Sequence, residues 1–287
     1  SVWMLLLVGL ALLVPRAFRD AWIVLSQDRP LVVGLKPEMR QLVTWLQEQT
    51  DPSARVLFED QLRLLEVTDP ESTHWTPVLP ILLGEASPPF IGGIYHTAFI
   101  LPNKAASFGD FHLAGELIDT WTPSKLRAYF ERYNVGWVVC WSPLSRFWFD
   151  RIGVVEKVGT IPRYSTPGRP SLVQSEGEAI ARRAGNSVAL KYMTEGDRFY
   201  CLYRVDRPHS FFLQGQGRVV RWDWNQVELA DVEPSDGAVV LSLHAMETWT
   251  TDPPCRVSPF PMDGDPVPFV KIEMKGPMRK LVLKNGY

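Results

Sequence analysis

Ser124–Trp141 reads SKLRAYFERYNVGWVVCW and joins two elements of different period. Leu126, Tyr129 and Phe130 recur at helical spacing behind Thr122-Pro123, which predicts a helix over Ser124–Tyr133, ended by Asn134. Val135–Trp141 is then apolar at every position, the mark of a strand covered on both faces. Downstream, Pro143–Arg151 predicts another helix and Gly153–Ile161 another strand. Upstream, Pro37–Thr50 predicts a helix with Met39, Leu42, Val43, Trp45 and Leu46 on one face, Pro37 in its first turn and Glu38 at its positive end. Asp51-Pro52-Ser53 stops it. Arg55–Phe58 (RVLF) follows as a short buried strand ending in Glu59-Asp60, and Thr97–Leu101 reads as a second strand. Helices alternating with strands predict an α/β unit built on a small, mostly parallel, Rossmann-like sheet with flanking helices.

The stretch 162–197 is polar and rich in Gly, Ser, Pro and Arg, and reads as a surface loop inserted before an edge or closing strand, Phe199–Val205. From about Pro208 the texture changes. Short apolar runs (Arg218–Trp222, Gln226–Ala230, Ala238–His244, Val267–Met274, Arg279–Leu283) alternate with the turn dipeptides Asp236-Gly237, Asp263-Gly264 and Asn285-Gly286. Strands at this spacing without helices predict a β-sandwich. The expected order is a membrane helix and its exit over 1–34, an α/β domain over 35–207, and a β-sandwich over 208–287.

An apolar fraction of 46% excludes a disordered chain, and a net charge of -2 excludes a generic nucleic-acid binder. Val2–Val14 (VWMLLLVGLALLV) carries no charged or polar side chain. It has the length of a signal-peptide core, yet no basic segment precedes it and no small-x-small cleavage site follows. It therefore reads as the end of a transmembrane helix whose beginning lies upstream, with a buried core helix as the competing reading. Phe18, Trp22 and Leu25 recur at helical spacing and fit an amphipathic exit along the membrane surface.

Signatures of common chemistry are missing from the sequence. There is no CxxC pair, HExxH, GxSxG, Walker A or GxGxxG, and the five histidines are scattered. Cys140 and Cys201 fall inside apolar strands, where a free thiol behaves as a small hydrophobe. Two segments stand out. Glu59-Asp60 lies at the carboxyl end of the first strand, where open α/β sheets place ligands; two carboxylates there suit sugar hydroxyls or a metal, or else a turn cap. Ile91–Ala98 (IGGIYHTA) offers Gly92 and Gly93 for close backbone approach and Tyr95 and His96 for stacking or hydrogen bonding, or else forms a simple tight turn. Trp222, Trp224 and Trp249 suit either a sugar-stacking platform or core packing, and Asp263-Gly264-Asp265 reads as a hairpin turn rather than a Ca²⁺ loop.

In this order the pieces resemble a known family. A helix bearing Glu38, Leu42, Val43, Trp45 and Leu46, then Thr50–Leu57 (TDPSARVL), then an acidic pair, is similar to the C-terminal extracytoplasmic region of bacterial polytopic membrane glycosyltransferases of the GT-C type. These are relatives of protein mannosyltransferases and of the oligosaccharyltransferase catalytic subunit. The Gly92-Gly93-x-Tyr95 turn, Tyr133–Val139 before a Ser-Pro, Tyr200–Val205, Gly237–Leu243 and Lys284–Tyr287 extend the likeness over most of the chain. The oligosaccharyltransferase strand ends in W-W-D-Y-G, whereas this one ends Phe58-Glu59-Asp60-Gln61, retaining the acidic character alone. The resemblance implies an integral membrane protein whose soluble part is extracytoplasmic. Its partners are the membrane, the protein's own further transmembrane domain, and a glycan or lipid-linked sugar. The lipid-phosphate sugar donor, a divalent metal and the catalytic acids belong to an earlier loop, so no cofactor is expected in this part. On that reading the chain caps the membrane domain and helps bind the acceptor. The alternatives are a non-catalytic, membrane-anchored glycan-binding or structural module, and a stand-alone α/β enzyme using Glu59, Asp60, Tyr95 and His96.

Overall fold

A computed structural model describes residues 37–60, 75–84, 87–93, 99–163, 172–183, 185–196, 198–223 and 225–286. The apolar run Val2–Val14 lies outside them. Among the described residues no helix is long and apolar enough to cross a membrane.

Pro37–Gln49 is α1, and it buries Met39, Leu42, Val43 and Leu46. β1 (Arg55–Phe58) follows, then the short α2 (Leu79–Leu83) and β2 (Phe90–Ile91). A three-stranded meander comes next: β3 (Phe108–Gly109), β4 (His112–Leu113) and β5 (Glu116–Leu117). α3 (Pro123–Arg132) starts where the Thr122 hydroxyl accepts from Lys125 N, and it leads into β6 (Val135–Cys140), buried at every position. α4 (Pro143–Ile152) is capped by Ser142 and stops at Gly153 in the left-handed region. β7 (Val155–Pro162), α5 (Leu172–Arg183), α6 (Ser187–Glu195) and β8 (Phe199–Val205) complete this part.

The five strands are ordered β2-β1-β6-β8-β7. β1 pairs in parallel with β2 and β6, while β8 is antiparallel to both β6 and β7. The sheet is thus mixed, with β8 opposing the other four. Phe199–Val205 does not close an edge. It is inserted between β6 and β7, and the half-exposed β7 takes the edge instead. The register places Cys140 directly opposite Cys201. The polar insertion is also not a plain loop. Its described residues form α5 and α6, the latter begun by Asn186, whose side chain accepts from Ala189 N at 3.0 Å. Gly177 lets the two helices approach, since a Cβ there would lie 2.9 Å from Met193 Sδ. Thr97–Leu101 is not a strand over its described residues 99–101.

Eight further strands make the β-sandwich. They are β9 (Phe212–Gln214), β10 (Gln216–Trp222), β11 (Gln226–Glu233), β12 (Ala238–His244), β13 (Trp249–Asp252), β14 (Arg256–Phe260), β15 (Phe269–Glu273) and β16 (Met278–Asn285). Two sheets, β10-β11-β16-β13 and β14-β15-β12-β9, share a core. One contributes Val227, Leu229, Leu281 and Leu283, and the other Val239, Leu241, Val270 and Ile272. The i, i+2 spacing within each strand places these side chains on one face. Asn285-Gly286 is the end of β16 rather than a hairpin turn, with Gly286 N bonded to Thr248 O.

β12 is buried at all seven positions because both of its faces are covered. Val239, Leu241 and Leu243 enter the sandwich core. Ser242 and His244 point the other way, into the α/β part. Arg55, fully buried at the start of β1, donates from one guanidinium nitrogen to Tyr133 O (2.6 Å) and Ser242 Oγ (2.8 Å), and from the other to Ser242 O (2.5 Å). The Phe211 ring lies 4.8 Å from the guanidinium carbon. Burial pushes the Arg55 pKa down to about 9, leaving it a cation at neutral pH. Beside it, Asp265 Oδ2 accepts from Tyr133 Oη and from His244 Nε2 (2.8 Å), and Oδ1 accepts from Val267 N (2.9 Å). Leu101 N donates to His244 Nδ1 (2.8 Å), which leaves the proton on Nε2. These bonds join the two halves, so Glu38–Tyr287 forms a single compact unit across residue 207.

Candidate functional site

The carboxyl ends of the parallel strands β1, β2 and β6 meet at the place where open α/β sheets hold ligands. The structure brings Glu59, Asp60, Gly92 and Gly93 together there. Tyr95, His96 and Trp224 lie outside the described residues.

Glu59 continues the ladder through its N–H to Val139 O (2.8 Å). Its side chain is fully buried and turns toward the N-terminus of α4. Oε1 accepts from Phe111 N (2.9 Å), Ser142 Oγ (2.5 Å) and Ser145 Oγ (2.7 Å). Oε2 accepts from Trp141 N (2.8 Å) and Ser142 N (2.9 Å). The Trp141 indole N–H donates to Glu59 O at 2.7 Å. Five donors around one carboxylate at the positive end of a helix hold the charge firmly in place. They also occupy the lone pairs that general-base catalysis or metal binding would use.

Asp60 is equally buried and serves the next segment. Its oxygens accept from Trp75 N (3.3 Å), from Thr76 N (3.2 Å) and from the Thr76 hydroxyl. Gly93 lies directly against this pair, and a Cβ there would come within 2.7 Å of Asp60 Oδ2 and 2.0 Å of Thr76 Oγ1. Gly92 has φ +119° and a Cβ there would meet Phe58 O at 2.1 Å. The two glycines let the strap after β2 lie flush on β1, and Gly92 O accepts from Phe108 N (2.5 Å). The acidic pair and the glycine pair therefore form one cluster.

The tryptophans go elsewhere. Trp249 is almost fully buried, with its indole N–H on His244 O (3.1 Å) and the Phe99 ring 5.0 Å away. Trp222 is half-buried and packs edge-on to Phe99 and Phe211. Asp263-Gly264 makes a turn, and Asp265 is drawn into the buried network with His244.

Among the described residues, no three potential metal ligands stand together. The oxygens of Glu59 and Asp60 are already taken up by internal donors, so this pair does not fit a metal ion. Ser142 and Ser145, the hydroxyls that complete the Glu59 site, were legible only as the N-cap pattern Ser-Pro-x-Ser. Comparison with family models, with characterised proteins and with solved structures gives no match.

Proposed function

We propose that this chain is the extracytoplasmic C-terminal part of an integral-membrane, GT-C-type glycosyltransferase-like protein that uses a lipid-linked sugar donor. Val2–Val14 enters the membrane, and the α/β unit with its sandwich caps the membrane domain and shapes the acceptor side. The supporting observation is the Glu59 cluster. Acidic character at the end of β1 is what this chain shares with the resembling family, and here the pair fixes the surrounding loops instead of offering free carboxylate to a substrate. On this reading the chemistry resides in earlier parts of the protein.

The test is topological and genetic. Alkaline phosphatase fused after Tyr287 in a bacterial host is expected to be active, and deleting Val2–Val14 is expected to release the chain into the carbonate-soluble fraction. An inactive phosphatase fusion with an active β-galactosidase fusion at the same site overturns the reading. So does a full reading frame that lacks several apolar spans and an acidic first loop. A membrane-anchored glycan-binding module is favoured only by the partial exposure of Trp222. That second reading requires glycan binding lost on Trp222→Ala.

A further inference from the structure

α3 has two working faces. Leu126, Tyr129 and Phe130 are buried, while Lys125, Ala128, Tyr129 and Arg132 recur at helical spacing along one edge. That edge forms one wall of a cleft of ≈ 480 Å³. Lys104 and Glu116 form another wall, and Gly264 and Pro266 of the sandwich close a third side. The small side chains of Ala105, Ala114 and Ala128 leave the room. Lys104 lies along Gly115, where φ is +74° and a Cβ would meet Lys104 Cε at 1.7 Å.

The cleft is a local excess of positive charge in a chain of net charge -2. Lys125 is paired with Glu116 at 2.5 Å and sits 4.4 Å from the Trp121 ring. Lys104 and Arg132 have no ion-pair partner among the described residues. The walls are also rich in unused donors. Trp121 Nε1, Tyr129 Oη and Arg132 Nε are shielded from water and meet no hydrogen-bond partner among the described residues. Burial, aided by Asp265, pushes the Tyr129 pKa up, so its hydroxyl stays protonated.

We propose that this cleft binds the phosphate group of a small phosphate ester. Its lining residues carry three cations and, among the described residues, three donors without partners, and its one lining carboxylate, Glu116, is already paired. Their complement is an acceptor-only, multiply charged oxyanion. A neutral sugar needs acceptors as well as donors, a cation meets the wrong charge, and a carboxylate offers two oxygens and one charge where a phosphate monoester offers three oxygens and up to two charges.

Calorimetric titration of the full chain with sn-glycerol 3-phosphate tests this, with acetate and glycerol as controls and phosphatidate-containing vesicles as a second arm. Saturable binding of the soluble ester, or vesicle binding that is stronger with phosphatidate than with phosphatidylcholine alone and is weakened by the changes below, supports the site and identifies the source of the phosphate. Lys125→Gln and Arg132→Gln are each expected to weaken binding about tenfold, the worth of one charge-assisted hydrogen bond. Lys104→Gln, at an exposed side chain, replaces Arg132→Gln where the latter does not fold. Glu116→Gln is expected to tighten binding, because it releases Lys125. The proposal is overturned by no saturable binding in either arm, by binding that these lysine and arginine changes leave unaltered, or by weaker binding in Glu116→Gln.

Discussion

Arg55 and Glu59 stand at the two ends of β1, and both are charges removed from water. The donors to Glu59 come from Phe111, Trp141, Ser142 and Ser145, all within the α/β part, so its carboxylate locks one end of one sheet. Arg55 reaches Ser242, 187 residues away, and so fastens the sheet to the sandwich. The anion is held by backbone N–H groups and hydroxyls, and the cation donates to two carbonyls and the Ser242 hydroxyl. The same four-residue strand therefore carries a local anchor at one end and a long-range one at the other. Burial is expensive for either charge, and what distinguishes them is which parts of the chain become interdependent.

That contrast can be broken by experiment. Arg55→Ala is expected to cost about 4 kcal/mol, since it strips partners from Tyr133 O and Ser242 and leaves a cavity. Urea unfolding measures it. A single transition that merely shifts says the two halves stay coupled without Arg55, whereas two separate transitions say the guanidinium was the main link. Glu59→Gln is expected to cost about 3 kcal/mol, because an amide NH₂ then faces backbone donors, and to keep one transition. A loss below about 1 kcal/mol removes Glu59 as an anchor.

A smaller effect concerns pH. Burial alone would raise the Asp265 pKa, but the bonds from His244, Tyr133 and Val267 outweigh it and hold the carboxyl below its ordinary value. A depressed carboxyl stabilises the fold above the ordinary Asp range, near pH 4, and that contribution is lost as pH falls toward the folded-state value. Thermal midpoints followed from about pH 6 to about pH 3, on either side of the ordinary Asp range, should fall more steeply in the native protein than in Asp265→Asn. Equal slopes deny Asp265 its part in joining the halves. The smallest effect is on thiol reactivity. Burial raises the pKa of Cys140 and Cys201, so iodoacetamide should modify the more exposed Cys255 first and reach the other two only on unfolding.

How much of this was legible follows from the range of each interaction. α1, α3, α4 and β6 declare themselves through periodicity and caps lying within a dozen residues, and the sandwich strands through alternation and turn dipeptides. The place of β8 between β6 and β7 depends on strand order, which no local pattern encodes. α5 and α6 were hidden by a composition rich in Gly, Ser and Arg, although Asn186 is a helix-capping residue type. The acidic pair was correctly placed at a strand end. Its burial was not readable, because the donors to Glu59 lie 52 to 86 residues further on. The cationic edge of α3 was present in the spacing of Lys125, Ala128, Tyr129 and Arg132, but a stripe of that kind acquires meaning only when Lys104 and Gly264 face it.

β12 gives the molecule a shared wall, with Val239 and Leu241 turned to one half and Ser242 and His244 to the other. A shared wall resists recombination. If residues 208–287 were moved to another protein, the His244–Asp265 bond would travel with them, but Ser242 would lose Arg55 and Arg132 O, His244 the Leu101 N–H and Asp265 the Tyr133 hydroxyl. Ser242 and His244 are thus answerable to two neighbourhoods at once, and the sandwich is poorly suited to inheritance as an independent cassette.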